Sequence, residues 1–179
     1  MIRRKPIQYQ RSFVALNEFF EEQLRQFDPI QNALPIEDFF GKDIGVKGSL
    51  KKLHKNKIID DLEDFQGLYL FIEKENNLPF YVGISQKVVS RLQQHIKGRS
   101  HFSASLAYRI GLEEYRRKHP QKTINARGDL DFDNIKEAQE VLRDQKVSIY
   151  KMDDPTELYL FEVFCAMKFG TPYNDFRTH

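Results

Sequence analysis

Two stretches decide how this chain reads: Gly67-Leu68-Tyr69-Leu70-Phe71-Ile72-Glu73 and, after a polar interval, Phe80-Tyr81-Val82-Gly83-Ile84-Ser85. In the first, Leu68, Leu70 and Ile72 alternate with Tyr69 and Phe71; in the second, Phe80, Val82 and Ile84 alternate with Tyr81 and Gly83. Successive side chains on a strand point to opposite faces, so each run predicts a strand with aliphatics on one face and a tyrosine on the other. The Asn76-Asn77 turn between them predicts a hairpin whose register sets Tyr69 beside Tyr81. Each tyrosine also stands two residues from a glycine, in mirrored order: Gly67-x-Tyr69 and Tyr81-x-Gly83.

Outward from the hairpin the elements are mostly helical. A helix from Ser85 to about Lys97 puts Arg91 and His95, four apart, on one face. A second is expected over Phe102 to Lys118 and a third from Asp133 or Asn134. A Val147-Ser148-Ile149-Tyr150 strand follows, and Pro155 opens a last helix to about Phe169. Before the hairpin, Phe13, Leu16, Phe20, Leu24 and Phe27 recur at helical spacing within about Tyr9 to Phe27, a helix ended by Asp28-Pro29. From there to about Glu63 the chain mixes Pro, Gly, charge and short apolar clusters, including the basic run Lys47 to Lys57, and carries no clear period.

At 179 residues the chain suits one core of ordinary size rather than two. Apolar residues are plentiful and both charge signs are spread throughout, which excludes a disordered chain. A single cysteine, Cys165, permits no internal disulfide and no cysteine-based zinc site, and reads as a small buried apolar residue. No apolar run nears the roughly 20 residues of a membrane helix, and the basic start Met1-Ile2-Arg3-Arg4-Lys5-Pro6 lacks the apolar stretch of a signal peptide. A cytoplasmic location is the expectation.

The net charge of +2 conceals an asymmetry. Gln86 to Gly128 holds ten Lys/Arg against two acids, whereas Asp129 to His179 holds six against eleven. The basic stretch follows the tyrosine strands directly. It reads either as a solvated helix face or as a path for a polyanion.

Glu162 lies inside Leu158-Tyr159-Leu160-Phe161-Glu162-Val163-Phe164-Cys165-Ala166-Met167, a helix apolar on nearly every side. A buried carboxylate with no partner is costly. Two readings meet that cost: a Glu facing a cavity and binding a cation such as Mg²⁺, or a Glu on the one wet stripe of the helix paired with a lysine.

Taken in order, Gly67-x-Tyr69, eleven residues, Tyr81-x-Gly83, then Arg91, His95, Glu162 and Asn174 resembles the GIY-YIG nuclease superfamily, over about Gln66 to Asn174. Leu68 and Val82 stand where that signature has isoleucines. The Arg91-x-x-x-His95 spacing resembles the restriction-endonuclease branch, and Glu162 followed by Pro172-Tyr173-Asn174 resembles the superfamily's closing motif. With the element order above, the expected fold class is α+β, a small antiparallel sheet of about three strands flanked by helices. Residues 65–179 would form the nuclease domain and residues 1–64 a mainly helical appendage. The appendage has a net charge close to zero, and would pack on the core, join a dimer interface or help hold DNA.

The resemblance implies an endonuclease cutting DNA with Mg²⁺ or Mn²⁺, one ion per site, held by Glu162. Tyr69 would deprotonate or orient the attacking water, either with its pKa lowered by nearby cations or by passing the proton to His95, and which of the two is the base stays open. Arg91 would stabilise the charged transition state, Tyr81 would contact phosphate or water, and Asn174 would position Glu162, the metal or the phosphate. Restriction, repair and element mobility all remain open roles, and a restriction-like role would call for a homodimer. Five residues follow Asn174, so no downstream DNA-reading domain is expected. The competing readings are a nucleic-acid-binding module without turnover and a partner-binding domain whose key surface is Phe13, Phe20 and Phe27.

Overall fold

The computed structural model describes residues 11–122 and 130–174. The expected helix start at Tyr9, the basic N-terminus, the end of the basic stretch around Arg127 and the tail Asp175–His179 lie outside the described residues.

The hairpin forms as its alternation dictates. Strand β2 (Gly67–Ile72) pairs antiparallel with β3 (Pro79–Ser85), with Tyr69 opposite Gly83 and Leu70 opposite Val82. On its other side β2 pairs antiparallel with β4 (Lys146–Lys151). A fourth, two-residue strand, β1 (Leu34–Pro35), pairs with β4, giving the order β1-β4-β2-β3. The sheet therefore has four strands rather than about three. The extra one comes from the stretch without a readable period; two residues show no alternation, and proline fits only because the strand is an edge.

One hairpin residue departs from the alternating pattern. Phe80 was expected beside Val82 and Ile84; instead it packs with Phe71 on the tyrosine face, ring centroids 5.9 Å apart. The register shifts between Phe71 and Ile72, where Tyr81 faces Phe71 and Pro79 faces Ile72. Phe80 is the extra residue of a β-bulge, and a bulge breaks the period of two on which the expectation rested.

Each sheet face is covered by helices. Leu68, Leu70, Ile72 and Val82 pack against α1 (Phe13–Phe27) and α7 (Pro155–Phe169) through Leu16, Phe20, Phe27, Leu158, Phe161 and the buried Cys165. Phe20 and Phe27 are thus core residues and only Phe13, 88% exposed, faces solvent, so the three do not form a surface. Asp28, in the left-handed region, ends α1 as expected, its N–H bonding to Leu24 O.

On the opposite face Tyr69 and Phe71 join a core built by α2 (Ile36–Phe40), α3 (Val46–Lys55), α4 (Val88–Lys97), α5 (Ser105–Lys118) and α6 (Phe132–Arg143). Ile36, Phe40, Leu50 and Leu53, all from the first 64 residues, are buried in that same core. Helix α5 starts at Ser105 rather than Phe102. Ser103 N–H donates to Ser100 Oγ and Ser100 N–H to Ser103 Oγ, each at 3.2 Å, which closes a separate turn before the helix.

Both sheet edges are dealt with. Proline marks β1, and along β3 the segment Thr171–Asn174 takes the place of a further strand. Asn174 Oδ1 accepts from Val82 N–H at 2.8 Å, Asn174 Nδ2 donates to Val82 C=O at 2.9 Å, and Tyr173 N–H donates to Phe80 C=O at 3.2 Å.

Candidate active site

The site is assembled around the hairpin's second face. Tyr69 is 1% exposed and its hydroxyl lies 2.9 Å from His95 Nε2, with His95 itself 0% exposed. The tyrosine fits because its cross-strand neighbour is glycine: a Cβ on Gly83 would fall under 3.0 Å from the Tyr69 ring and hydroxyl. Gly67 answers a similar demand, since a Cβ there would strike the Tyr150 carbonyl. The mirrored glycine–tyrosine spacing is thus a packing requirement at both strands. The Tyr69 and Tyr81 rings are 6.3 Å apart, and the Tyr81 and His95 rings 5.9 Å.

Helix α4 delivers Arg91 and His95 to this face. Its C-terminal carbonyls are held by α6, through Gln139 Nε2 to Gly98 O at 2.8 Å and Arg143 Nη1 to Ile96 O at 2.7 Å. Arg91 is half-buried and pinned: Nη1 donates to Ser103 O and Gln94 Oε1, both at 3.0 Å, and Nη2 to Ser105 Oγ at 2.7 Å. The Ser103 carbonyl and the Ser105 hydroxyl thus hold this guanidinium in place. Tyr81 is half-buried, and its hydroxyl feels the charges of Arg91 and Arg109, which favour the phenolate, and of Glu162, which opposes it.

Burial dominates the electrostatics. It raises the Tyr69 phenol well above 10, the nearby Tyr81 adding to the rise and Arg91 opposing it. In the free protein, then, the surrounding cations do not make Tyr69 a phenolate. Burial lowers His95 well below 6.5, with Arg91 pushing the same way, so the imidazole is neutral. Among the described residues its buried Nδ1 has no hydrogen-bond partner, so the hydrogen bond that fixes this neutral ring is the one to the Tyr69 hydroxyl. Burial raises Tyr81 as well, partly offset by Arg91.

Glu162, on α7, is half-buried, and burial pushes its carboxyl from 4.5 to about 7. No described cation lies within ion-pair distance of it, so the lysine-paired reading of this residue is not what the structure holds. Among the described residues no three His, Cys, Asp or Glu side chains gather as a metal cluster. A carboxylate that has lost hydration without gaining a counter-charge fits a divalent ion completed by waters and phosphate oxygens.

Of the six residues singled out from sequence, Tyr69, Tyr81 and His95 are in mutual contact, with Arg91 and Glu162 bearing on Tyr81. Asn174 is different: both ends of its amide are spent on the Val82 backbone, and Thr171 Oγ1 donates to its Oδ1 at 2.8 Å. Sequence reading missed Arg109, which was only one count in a basic stretch. Its place, four residues after Ser105 on α5, has no motif to mark it.

The family model for the GIY-YIG catalytic domain matches residues 65–140. That span contains the hairpin, α4, α5 and most of α6, and with them Tyr69, Tyr81, Arg91 and His95. None of the curated proteins and none of the solved structures matches the chain significantly. Among the described residues no helix is long and apolar enough to cross a membrane. The matched hairpin and α4, with the α+β architecture that holds them, support membership of the GIY-YIG nuclease superfamily.

Proposed function

We propose that the chain is a metal-dependent endonuclease that hydrolyses DNA phosphodiester bonds. The observation that carries this is Glu162, a half-buried carboxyl with no cation partner among the described residues, whose charge acts with that of Arg91 on the Tyr81 hydroxyl. A polyanion and its counter-ion would supply the charges this arrangement lacks.

In this reading Glu162 holds one Mg²⁺ or Mn²⁺, whose chemistry is to polarise the phosphate and ease departure of the leaving oxygen. Arg91, already fixed by Ser103 and Ser105, presents its guanidinium to the scissile phosphate and stabilises the charge that grows there. Tyr81 orients the phosphate or the attacking water with its hydroxyl. Behind it, Tyr69 and His95 act as one base: as Tyr69 takes a proton from water, its own proton passes across 2.9 Å to His95 Nε2. This route avoids a free phenolate, which burial makes expensive. Asn174 acts at a distance from the chemistry by fixing β3 at Val82, the residue after Tyr81.

Supercoiled plasmid incubated with wild-type protein and with Glu162→Ala, in Mg²⁺ or Mn²⁺ and in chelator, tests the reading. Metal-dependent cutting that is lost in the variant is expected. Discrete fragments would point to restriction and nicks alone to a repair-like role; a concerted double-strand cut would call for a dimer carrying two sites. Salt-sensitive DNA binding without cutting of plasmid, branched or single-stranded substrates would make the chain a binding module instead.

A further inference from the structure

Helix α5 forms a wall of the site that the signature residues leave unassigned. Ser105 and Arg109 lie four apart in its first turns, so they share a face. Ser105 holds Arg91 at 2.7 Å. One turn on, Arg109 Nη1 donates to Tyr173 C=O at 2.6 Å. That carbonyl is itself fixed to β3, because Tyr173 N–H bonds Phe80 C=O and Asn174 clamps Val82. Arg109 is therefore tied to the strand segment Phe80-Tyr81-Val82 from the α5 side, while Arg91 approaches the same tyrosine from α4.

Two features separate Arg109 from an arginine that merely locks a helix to a turn. It is exposed, and one carbonyl engages only part of a guanidinium with five N–H donors. Among the described residues no carboxylate lies within ion-pair distance of it, although Glu113 is one turn away; Glu113 acts instead on the Tyr173 hydroxyl, which burial first and then Glu113 push up to about 12. By contrast, Arg117 and Lys118 at the end of the same helix are paired with Glu114.

We propose that Arg109 is a second phosphate-binding arginine, gripping the backbone phosphate next to the one that Arg91 receives, so that the two guanidiniums bracket Tyr81 along the nucleic-acid strand. This rests on the reading that the Tyr81–Glu162 site takes a polynucleotide. A strand held at two successive phosphates presents the bond between them in a fixed orientation, and a planar guanidinium with spare donors suits a phosphate better than a lysine does.

The test is binding of a short fluorescein-labelled DNA duplex in chelator, without turnover, over a range of salt concentrations. Wild type is compared with Arg109→Ala, Arg109→Lys and, as a control of equal charge change, Arg116→Ala at the far end of α5. Loss of one phosphate contact lowers the slope of log K against log salt by about 0.9. Arg109→Ala is expected to show that drop with an affinity loss of about tenfold at moderate salt, on the scale of a charge-assisted hydrogen bond. Arg109→Lys should recover most of the slope and only part of the affinity, and Arg116→Ala should leave the slope unchanged. Thermal melting of each variant accompanies the binding curves, and Arg109→Gln replaces the alanine variant if that one is unfolded. An unchanged slope in a folded, uncharged variant overturns the assignment, as does an equal drop in Arg116→Ala. The two readings fail separately: wild type that binds without cutting sinks the nuclease and leaves Arg109 to its slope, while wild type that cuts normally with an unchanged Arg109 slope sinks only the second arginine.

Discussion

Replacing Glu162 by glutamine should make the protein more stable, and should do so only where the native carboxyl is ionised. The carboxyl is carried from 4.5 to about 7 by burial. A group with a raised folded-state pKa favours the native state below its unfolded value, and that contribution is lost as pH rises through the folded value. At about 1.36 kcal/mol for each pH unit, the interval from 4.5 to about 7 sets an upper figure of about 3 kcal/mol for the penalty at pH 8. Glu162 is only half-buried, and solvent screening reduces this to about 1–2 kcal/mol. Glutamine has the same shape and no charge, so in chelator at pH 8 it should raise Tm by about 2 to 8 °C, a range set by the size of the chain. By pH 5 the gain should shrink severalfold, because the native carboxyl is already neutral there. Thermal melts of both proteins at the two pH values make the measurement. Equal melting temperatures at pH 8, or a gain of the same size at pH 5, would refute the idea that Glu162 is an uncompensated charge awaiting a cation.

Three further outcomes follow from the same geometry. Gly83→Ala drives a Cβ into the Tyr69 hydroxyl; the overpacked hairpin should lose about 1–3 kcal/mol in urea unfolding and, with Tyr69 displaced from His95, about 100-fold in nicking rate. Asn174→Ala leaves the Val82 N–H and C=O unmatched on the edge strand, which should cost about 1–3 kcal/mol of stability by chemical denaturation. His95 is held neutral by burial, its pKa well below 6.5, so stability present above pH 6.5 should drain away as pH falls towards the folded value, by up to about 1.4 kcal/mol per pH unit. Urea titrations between pH 7 and 5 in a Glu162→Gln background, which removes the opposing contribution of that carboxyl, would show this as a slope that His95→Gln flattens, and an unchanged slope in the double variant would exclude the imidazole as its source.

The hairpin was legible because its alternation is a local property: Leu68, Leu70 and Val82 on one face and Tyr69 on the other needed nothing beyond the period of a strand. Phe80 was misplaced because a bulge is a two-strand event, set by register with Phe71 and Ile72 and invisible within one strand. The first 64 residues were obscure for a related reason. Leu34-Pro35 is too short to show a period, and α2 and α3 are short helices whose buried residues, among them Phe40 and Leu53, take meaning only from the sheet face they cover. In the site, residue types at fixed spacing marked Tyr69, Tyr81, Arg91, His95 and Glu162. Arg109 went unmarked because what distinguishes it, a bond to the Tyr173 carbonyl and the lack of an acidic partner, exists only once α5 meets the C-terminal turn.

The geometry also divides the signature residues by what each is free to do. Tyr69, His95 and Asn174 are committed within the protein: the phenol and imidazole to each other in the core, the amide to the Val82 backbone. Tyr81, Arg91 and Glu162 keep contact with solvent, and Arg109 is exposed beside them. Substitutions in the first set should therefore lower stability and activity together, because each removes a buried partner. In the second set, substitution of Glu162 should lower turnover while improving stability, as expected where a site holds a charge that the fold itself does not satisfy, whereas loss of Arg91 should lower turnover at some cost in stability through its bonds to Ser103 and Ser105. A single spacing motif thus records two separate demands, the close packing that lets a glycine admit a tyrosine and the charges left open for a phosphate, and the sign of the stability change at Glu162 tells which demand that residue serves.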